Sequence, residues 1–344
     1  MKTVRFAVLG CGKIGSRHAE KLQNIPGAQL VAVCDIIPER ADALAAKYGC
    51  KAYYTIDDLV ADPEVDFINV CTPSGAHAEH SIQALKGGRN VLSEKPMALT
   101  EADAVRMSDV AEQEGLLLYV VKQNRYNPPS QLIRGLKNED KLGRPLFCVV
   151  NVVWNRNAEY YASDAWRGTL DQDGGTLYTQ ASHFVDLMML YMGEPTSLYA
   201  QMRTNKEGIE IEDTGVISVT FDNGAIGSFN YTTSASAANR EGSIVFVFSN
   251  ATIKIGGQYL NTIEYFHADG NEEYELEDEG VAANDYGTYK GSMSNHHKVF
   301  EDIVRVWNDP ATISQLVEGR EGISAVRFME KAMLSARENR IIEL

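Results

Sequence analysis

The chain has 344 residues, more than one hydrophobic core usually serves, so two domains are expected. With 32 lysines and arginines against 47 aspartates and glutamates, the formal charge is −15, which argues against nucleic acid and membranes as partners, because a phosphate-binding surface needs a cationic excess. No apolar run approaches a membrane-spanning length, Met1-Lys2-Thr3 carries no charged-then-apolar leader, and the five cysteines (Cys11, Cys34, Cys50, Cys71, Cys148) form no CxxC pair; a cytoplasmic protein with reduced thiols is expected.

An apolar strand, Val4 to Leu9, runs straight into Gly10-Cys11-Gly12-Lys13-Ile14-Gly15, and a helix is expected from near Ser16. Asp35 ends the next apolar run, Leu30 to Cys34, about twenty residues past the last glycine, as the dinucleotide fingerprint requires. Gly10 makes the tight turn, Gly12 lets the backbone approach a pyrophosphate, and Gly15 lets helix and strand touch. The helix start then aims unpaired amides and a positive dipole end at phosphate. Asp35 accepts hydrogen bonds from ribose hydroxyls and repels a 2′-phosphate, and Ile36 and Ile37 follow where an arginine would serve that phosphate, so NAD is favoured over NADP.

Alternation continues with a helix over Pro38 to Tyr48, a strand over Phe67 to Cys71, a helix over Gly75 to Lys86 and a strand over Asn90 to Ser93. A helix from Thr100 to Glu114, with Thr100 as N-cap and Asp103 three residues on, precedes a last strand, Leu116 to Val121. Such a pattern makes a doubly wound parallel sheet, whose ligands sit beyond the carboxyl ends of the strands. Thr72-Pro73-Ser74, Glu94-Lys95-Pro96 and Gln123-Asn124-Arg125 should therefore converge on the cofactor.

After Asn127-Pro128-Pro129 the texture changes. A short helix (Ser130 to Lys137) is followed by period-two segments, Val216 to Phe221, Gly227 to Tyr231 and Ser243 to Phe248, so a large, mostly antiparallel open sheet in an α+β domain is expected. Apolar side chains on both of its faces in places suggest a face that needs covering by another copy of the chain. The acidic stretch 271–279 alternates like a solvated edge strand. Helical pattern returns over Ser294 to Trp307 and Arg320 to Asn339, and the last helix is expected at the domain junction. The expected division is 1–124, 125–310 and 311–344.

Two residues stand out for chemistry. Lys95 sits just past a central strand, where Pro96 can impose a fixed turn and a cis bond is open to it. His183 follows the pair Gly174-Gly175 on an expected helix whose three- and four-residue spacing puts Thr179, His183 and Asp186 on one face. Position alone leaves Lys95 open to being a solvated loop lysine and His183 to being a structural histidine. His296-His297 suggests a metal, but neighbours on a helix point different ways and no third ligand has matching spacing; no metal is assigned.

Taken together, GCGKIG, Thr72-Pro73, Glu94-Lys95-Pro96, Trp166-Arg167 and the glycine pair leading to His183 and Asp186 resemble the glucose-fructose oxidoreductase, inositol dehydrogenase and rhizopine catabolism (GFO/IDH/MOCA) family over nearly the whole chain. The resemblance implies that Lys95 and His183 flank the sugar carbon that is oxidised. It assigns cofactor contacts to Gly10, Gly12, Lys13, Ile14, Asp35, Thr72, Pro73 and Ser74. His77, Glu94, Lys95, Gln123, Trp166 and Arg167 complete the cofactor set, with capping an alternative for His77. Lys95, Asn124, Tyr126, Arg156, Thr179 and His183 are implied to touch substrate.

Residues 121–128, 175–183, 286–292 and 294–297 are similar to one subgroup, the sugar-nucleotide 3-dehydrogenases acting on UDP-N-acetyl-2-amino-2-deoxyglucuronate in bacterial surface-polysaccharide pathways. Many family members carry an aspartate four residues before the histidine, where this chain has Thr179; an inositol-type activity is thereby weakened. The implied function is NAD-dependent oxidation of the 3-hydroxyl of UDP-linked N-acetylglucosaminuronate. UDP-N-acetylglucosamine, a free sugar or a cyclitol as substrate, and a non-catalytic dinucleotide sensor, remain the alternatives. Either His183 or Lys95 can be the base.

Overall fold

The computed structural model describes residues 2–270, 273–274, 276, 280, 282–285, 287 and 289–344. Most of the acidic stretch expected as an edge strand, together with Tyr286 and Thr288, lies outside the described residues. Contacts divide the chain into two compact units, Met1–Lys122 with His296–Val326, and Gln123–Asn295 with Arg327–Leu344. This places the helix His296–Asn308 in the first unit, where the sequence division put it in the second, and it splits the last helix, Gly319–Glu338, between Val326 and Arg327. The aromatic edge of His296–Asn308 explains its place: Phe300 meets Phe6 at 5.4 Å and Trp307 meets Phe67 at 5.7 Å, both edge to face.

In the first unit a seven-stranded sheet runs, from one edge, Val317–Glu318, Leu118–Val120, Asn90–Ser93, Phe67–Val70, Val4–Leu9, Ala28–Cys34 and Lys51–Tyr53. All neighbours are parallel except the edge strand Val317–Glu318. The strand order reverses direction between Val4–Leu9 and Phe67–Val70, which is where a doubly wound sheet opens its ligand crevice. Phe6, Ala7, Val8, Phe67 and Ile68 are fully buried, as strands covered on both faces must be. Thr100 caps Glu101–Glu114 by accepting the Asp103 amide at 3.1 Å, as its spacing predicts. Three short elements went unread, the strands Lys51–Tyr53 and Val317–Glu318 and the helix Ile56–Ala61, each too brief to show a period.

The second unit holds an eight-stranded sheet in the order Thr262–Ala268, Ala251–Gly256, Glu241–Phe248, Pro145–Val153, Ile226–Thr232, Thr214–Phe221, Pro195–Arg203 and Ile342–Glu343. It is antiparallel apart from the parallel pair Pro145–Val153 and Ile226–Thr232. The helix Ser182–Met192 covers one face of this sheet, with Phe184 edge-on to Trp154 and Tyr191 edge-on to Phe246. On other positions Phe147, Val216, Ile226 and Tyr265 are exposed.

Candidate functional site

The glycine turn of the first unit fits a dinucleotide on the evidence of its own atoms. Gly10 has φ +97°, and a Cβ there would lie 2.7 Å from the Cys71 carbonyl oxygen. At Gly15 a Cβ would fall 1.8 Å from the Gly10 carbonyl oxygen, so only glycine lets helix and turn touch. Gly12 is different: a Cβ would meet no protein atom within 4 Å, so protein packing does not demand glycine there, whereas the approach of a ligand would. The helix begins at Lys13, three residues earlier than expected, because Gly12 itself is the N-cap; no side chain caps it, which leaves its first amides to phosphate. Lys13 and Ile14 stand in that first turn.

Asp35 is pinned to this turn. Its Oδ2 accepts the Cys11 amide at 2.7 Å and its Oδ1 the Ile37 amide at 2.9 Å. Ile36 beside it is 87 % exposed. Burial pushes the Cys11 and Cys34 thiols up to about 12, and all five cysteines are free thiols.

The Thr72-Pro73-Ser74 and Glu94-Lys95-Pro96 loops are tied together by His77. Its buried ring places Nδ1 2.7 Å from the Pro96 carbonyl oxygen and Nε2 2.9 Å from that of Thr72. Burial pushes the imidazole pKa down, against the two carbonyls that favour the charged ring. Ser74 begins a short 3₁₀ turn, Ser74–Ala76, and Thr72 Oγ1 pairs with His80 Nδ1 at 2.9 Å. The Lys95-Pro96 bond is cis.

Glu94 turns inward rather than outward. Its Oε1 accepts from His18 Nε2 at 2.8 Å and lies 3.6 Å from His296 Nε2, while Oε2 accepts the Lys95 amide at 3.0 Å. Burial pushes this carboxyl up, but the hydrogen bond from His18 and the His296 ring beside it outweigh burial and hold it well below the usual range. Among the described residues, His18, Glu94 and His296 form one group whose ligand-type atoms lie within 4.8 Å of one another. The sequence considered His296 only beside His297 and so missed both partners, which come from distant parts of the chain.

In the second unit His183 is buried, with Nε2 3.4 Å from Ser292 Oγ and 3.5 Å from Gln123 Nε2; Gln123 donates to the same Ser292 hydroxyl at 2.9 Å. Gln123 Oε1, Asn124 Oδ1 and Asn284 Oδ1 are buried with no hydrogen-bond partner. Buried polar atoms of this kind ask for a polar ligand. Arg125 clamps Asp186 through two hydrogen bonds, at 2.9 and 2.8 Å. Tyr126 is buried in the same turn.

One expectation is corrected here. Thr179, His183 and Asp186 do not share one helix: Thr176–Thr179 is a single turn, and a new helix starts at Ser182. The chain breaks at Gln180, whose carboxamide accepts from Arg156 Nε at 2.8 Å and donates to the Tyr160 hydroxyl at 2.9 Å. Thr179 turns its hydroxyl to Asp173 at 3.2 Å and the Gly175 carbonyl at 3.0 Å.

Arg156 is 1 % exposed and lies over the rings of Trp154, Tyr160 and Tyr289 at 5.2, 5.4 and 4.9 Å. Arg167 covers the rings of Tyr160 and Trp166 at 4.3 and 4.6 Å and donates to the Tyr160 hydroxyl. The pair Gly174-Gly175 has its own reason: a Cβ on Gly175 would lie 2.3 Å from a carboxylate oxygen of Glu212. That buried carboxyl accepts the Leu177 amide at 2.8 Å and the Tyr231 hydroxyl at 3.1 Å, and burial pushes its pKa up to about 8.

Residues 4–122 match an oxidoreductase family with an NAD-binding Rossmann fold, and residues 130–254 match the GFO/IDH/MocA C-terminal domain. Over the whole chain the fold is similar to the crystal structure of the WlbA dehydrogenase from Bordetella pertussis in complex with NADH and UDP-GlcNAcA, at 33 % identity, 99 % coverage of that chain and a TM-score of 0.89. A scyllo-inositol 2-dehydrogenase (NADP(+)), IolW, of Bacillus subtilis is 26 % identical over 99 % of this chain and 96 % of its own. An uncharacterized oxidoreductase of Streptococcus pneumoniae is 30 % identical over 190 residues, 55 % of this chain and half of that protein's length.

Proposed function

Because the chain belongs to the GFO/IDH/MocA oxidoreductase family and is an NAD-dependent dehydrogenase, we propose that it oxidises the 3-hydroxyl of a UDP-linked N-acetylglucosaminuronate to the 3-keto sugar. This is a step of the kind bacterial surface-polysaccharide assembly uses. The whole-length likeness to a dehydrogenase whose complex holds NADH and UDP-GlcNAcA carries the substrate assignment. Asp35, with both oxygens fixed by backbone amides and no cation at Ile36 or Ile37, supports NAD over NADP.

NAD, when bound at the glycine turn, supplies the hydride acceptor. The chain's own residues manage the proton. His183 takes the proton of the 3-hydroxyl as the C–H bond breaks and the carbonyl forms. Lys95, as an ammonium, donates to the same oxygen and stabilises its developing charge, or the two exchange duties. Gln123 and Ser292 hold the His183 ring through Nε2. Free thiols and the absence, among the described residues, of a helix long and apolar enough to cross a membrane support a cytoplasmic enzyme.

The test is a panel of UDP-GlcNAcA, UDP-GlcNAc, inositols and free sugars with NAD, followed by NADH absorbance. The reading expects turnover with UDP-GlcNAcA well above the rest. Preference for an inositol moves the chain to the cyclitol branch of its family, and silence on every substrate favours a dinucleotide sensor.

A further inference from the structure

We propose that Glu94, held by His18 and His296, is a positioning clamp for Lys95, fixing the backbone from which the lysine side chain reaches the reacting oxygen; this rests on Lys95 acting in the reaction. Both carboxylate oxygens are engaged, one by His18 Nε2–H and the other by the amide of Lys95 itself. The carboxylate therefore cannot rotate without breaking a charge-assisted hydrogen bond.

The tautomer follows from both sides of the ring. The Glu94 carboxylate, an acceptor only, requires a donor at His18 Nε2, which leaves Nδ1 to accept from the Cys71 thiol, 3.5 Å away and kept protonated by burial. His296 backs the pair, its ring tilted 54° to that of His18 at 5.4 Å, and Phe300 meets His18 edge-on at 5.2 Å. The three groups come from the nucleotide helix Lys13–Leu22, the end of the strand Asn90–Ser93 and the start of His296–Asn308. Helix, strand end and lysine backbone are locked as one piece.

Stability alone does not account for such a cluster, since replacing a buried charged pair by well-packed apolar residues is often neutral or stabilising. The bond between His18 and Glu94 needs no metal, since 2.8 Å is a hydrogen-bond length and Cys71, His18, Glu94 and Lys95 form an unbroken donor-acceptor series, while His296 Nδ1 is buried with no hydrogen-bond partner among the described residues.

The test compares His18→Leu, His18→Gln and Glu94→Gln with Lys95→Met in the full-length protein. A glutamine amide places an N–H donor close to where Nε2 stood, so His18→Gln keeps the bond to Glu94 that His18→Leu removes. The clamp predicts that His18→Leu and Glu94→Gln lose about 10- to 100-fold in kcat, the cost of misplacing a reacting group by about 1 Å. Their KM and NAD Kd stay within about threefold of wild type, and His18→Gln recovers most of the kcat. Wild-type kcat in folded His18→Leu, while Lys95→Met is inactive, overturns the clamp and leaves the role of Lys95 standing. Full turnover in Lys95→Met overturns both. Stoichiometric zinc in the purified wild type, lost in His18→Leu, makes the cluster a metal site instead.

Discussion

Exchanging Gly12 and Gly15 separately for alanine should pull cofactor binding and folding apart. At Gly15 the added methyl would lie 1.8 Å from a backbone oxygen and 3.1 Å from Val8 Cγ1, so the helix must retreat by more than an ångström. Overpacking of this kind costs about 1–3 kcal/mol. In a unit of about 150 residues that lowers Tm by about 2–12 °C. At Gly12 the same methyl meets no protein atom, and its extended backbone, φ −72° and ψ −163°, suits alanine. Gly12→Ala should therefore melt close to wild type without cofactor, while its methyl obstructs the pyrophosphate and weakens NAD by about 10- to 100-fold, or about 1.4–2.8 kcal/mol. Thermal melts without cofactor and NAD titration by calorimetry read both quantities. Wild-type NAD affinity in Gly12→Ala, or a wild-type Tm in Gly15→Ala, would refute the assignment of the turn.

Asp35→Ala should raise the ratio of NADP to NAD affinity, read by titrating each cofactor; an unchanged ratio removes Asp35 as the selector. His183→Asn and Lys95→Met should cut turnover by about 10²–10⁴ with NAD binding intact, whereas a purely structural histidine would lower Tm and spare the turnover of folded protein. Glu212 keeps its proton to about pH 8 in the folded chain but loses it near ordinary carboxyl pH when unfolded, so stability should fall as pH rises between those limits. Glu212→Gln should flatten that fall in melts taken across the window, and an unchanged slope would place the titration elsewhere. The exposed Phe147, Val216, Ile226 and Tyr265 on the large sheet predict a dimer or tetramer; a monomer at micromolar concentration in light scattering removes that proposal.

The parallel sheet was legible because strands and helices of the first unit carry long apolar runs with clear punctuation, and the second sheet because three of its strands alternate with period two, although Pro145–Val153, Pro195–Arg203, Ala251–Gly256 and Thr262–Ala268 were not named. Thr100 announced its own helix. What escaped were features set by distant neighbours. The helix break at Gln180 depends on Arg156 and Tyr160, which no local period reveals. Gly175 looks like a helix opener, yet its φ of +133° and the Glu212 carboxylate against it are products of the fold. His18 is one polar residue on an amphipathic helix, Glu94 the first letter of a motif and His296 half of a histidine pair; only topology makes them one cluster. Ser292 sits in a motif that resembles the family's, without any local sign that it would meet His183.

The most direct test of the central claim is the fate of the hydrogen on the sugar's third carbon. UDP-GlcNAcA deuterated at C3 is incubated with the enzyme and NAD, and the reduced cofactor is analysed by mass spectrometry. The account predicts one deuterium on C4 of the nicotinamide, together with a 3-keto sugar nucleotide. Reduced cofactor without the label, or a labelled sugar recovered intact while another substrate is turned over, would contradict it.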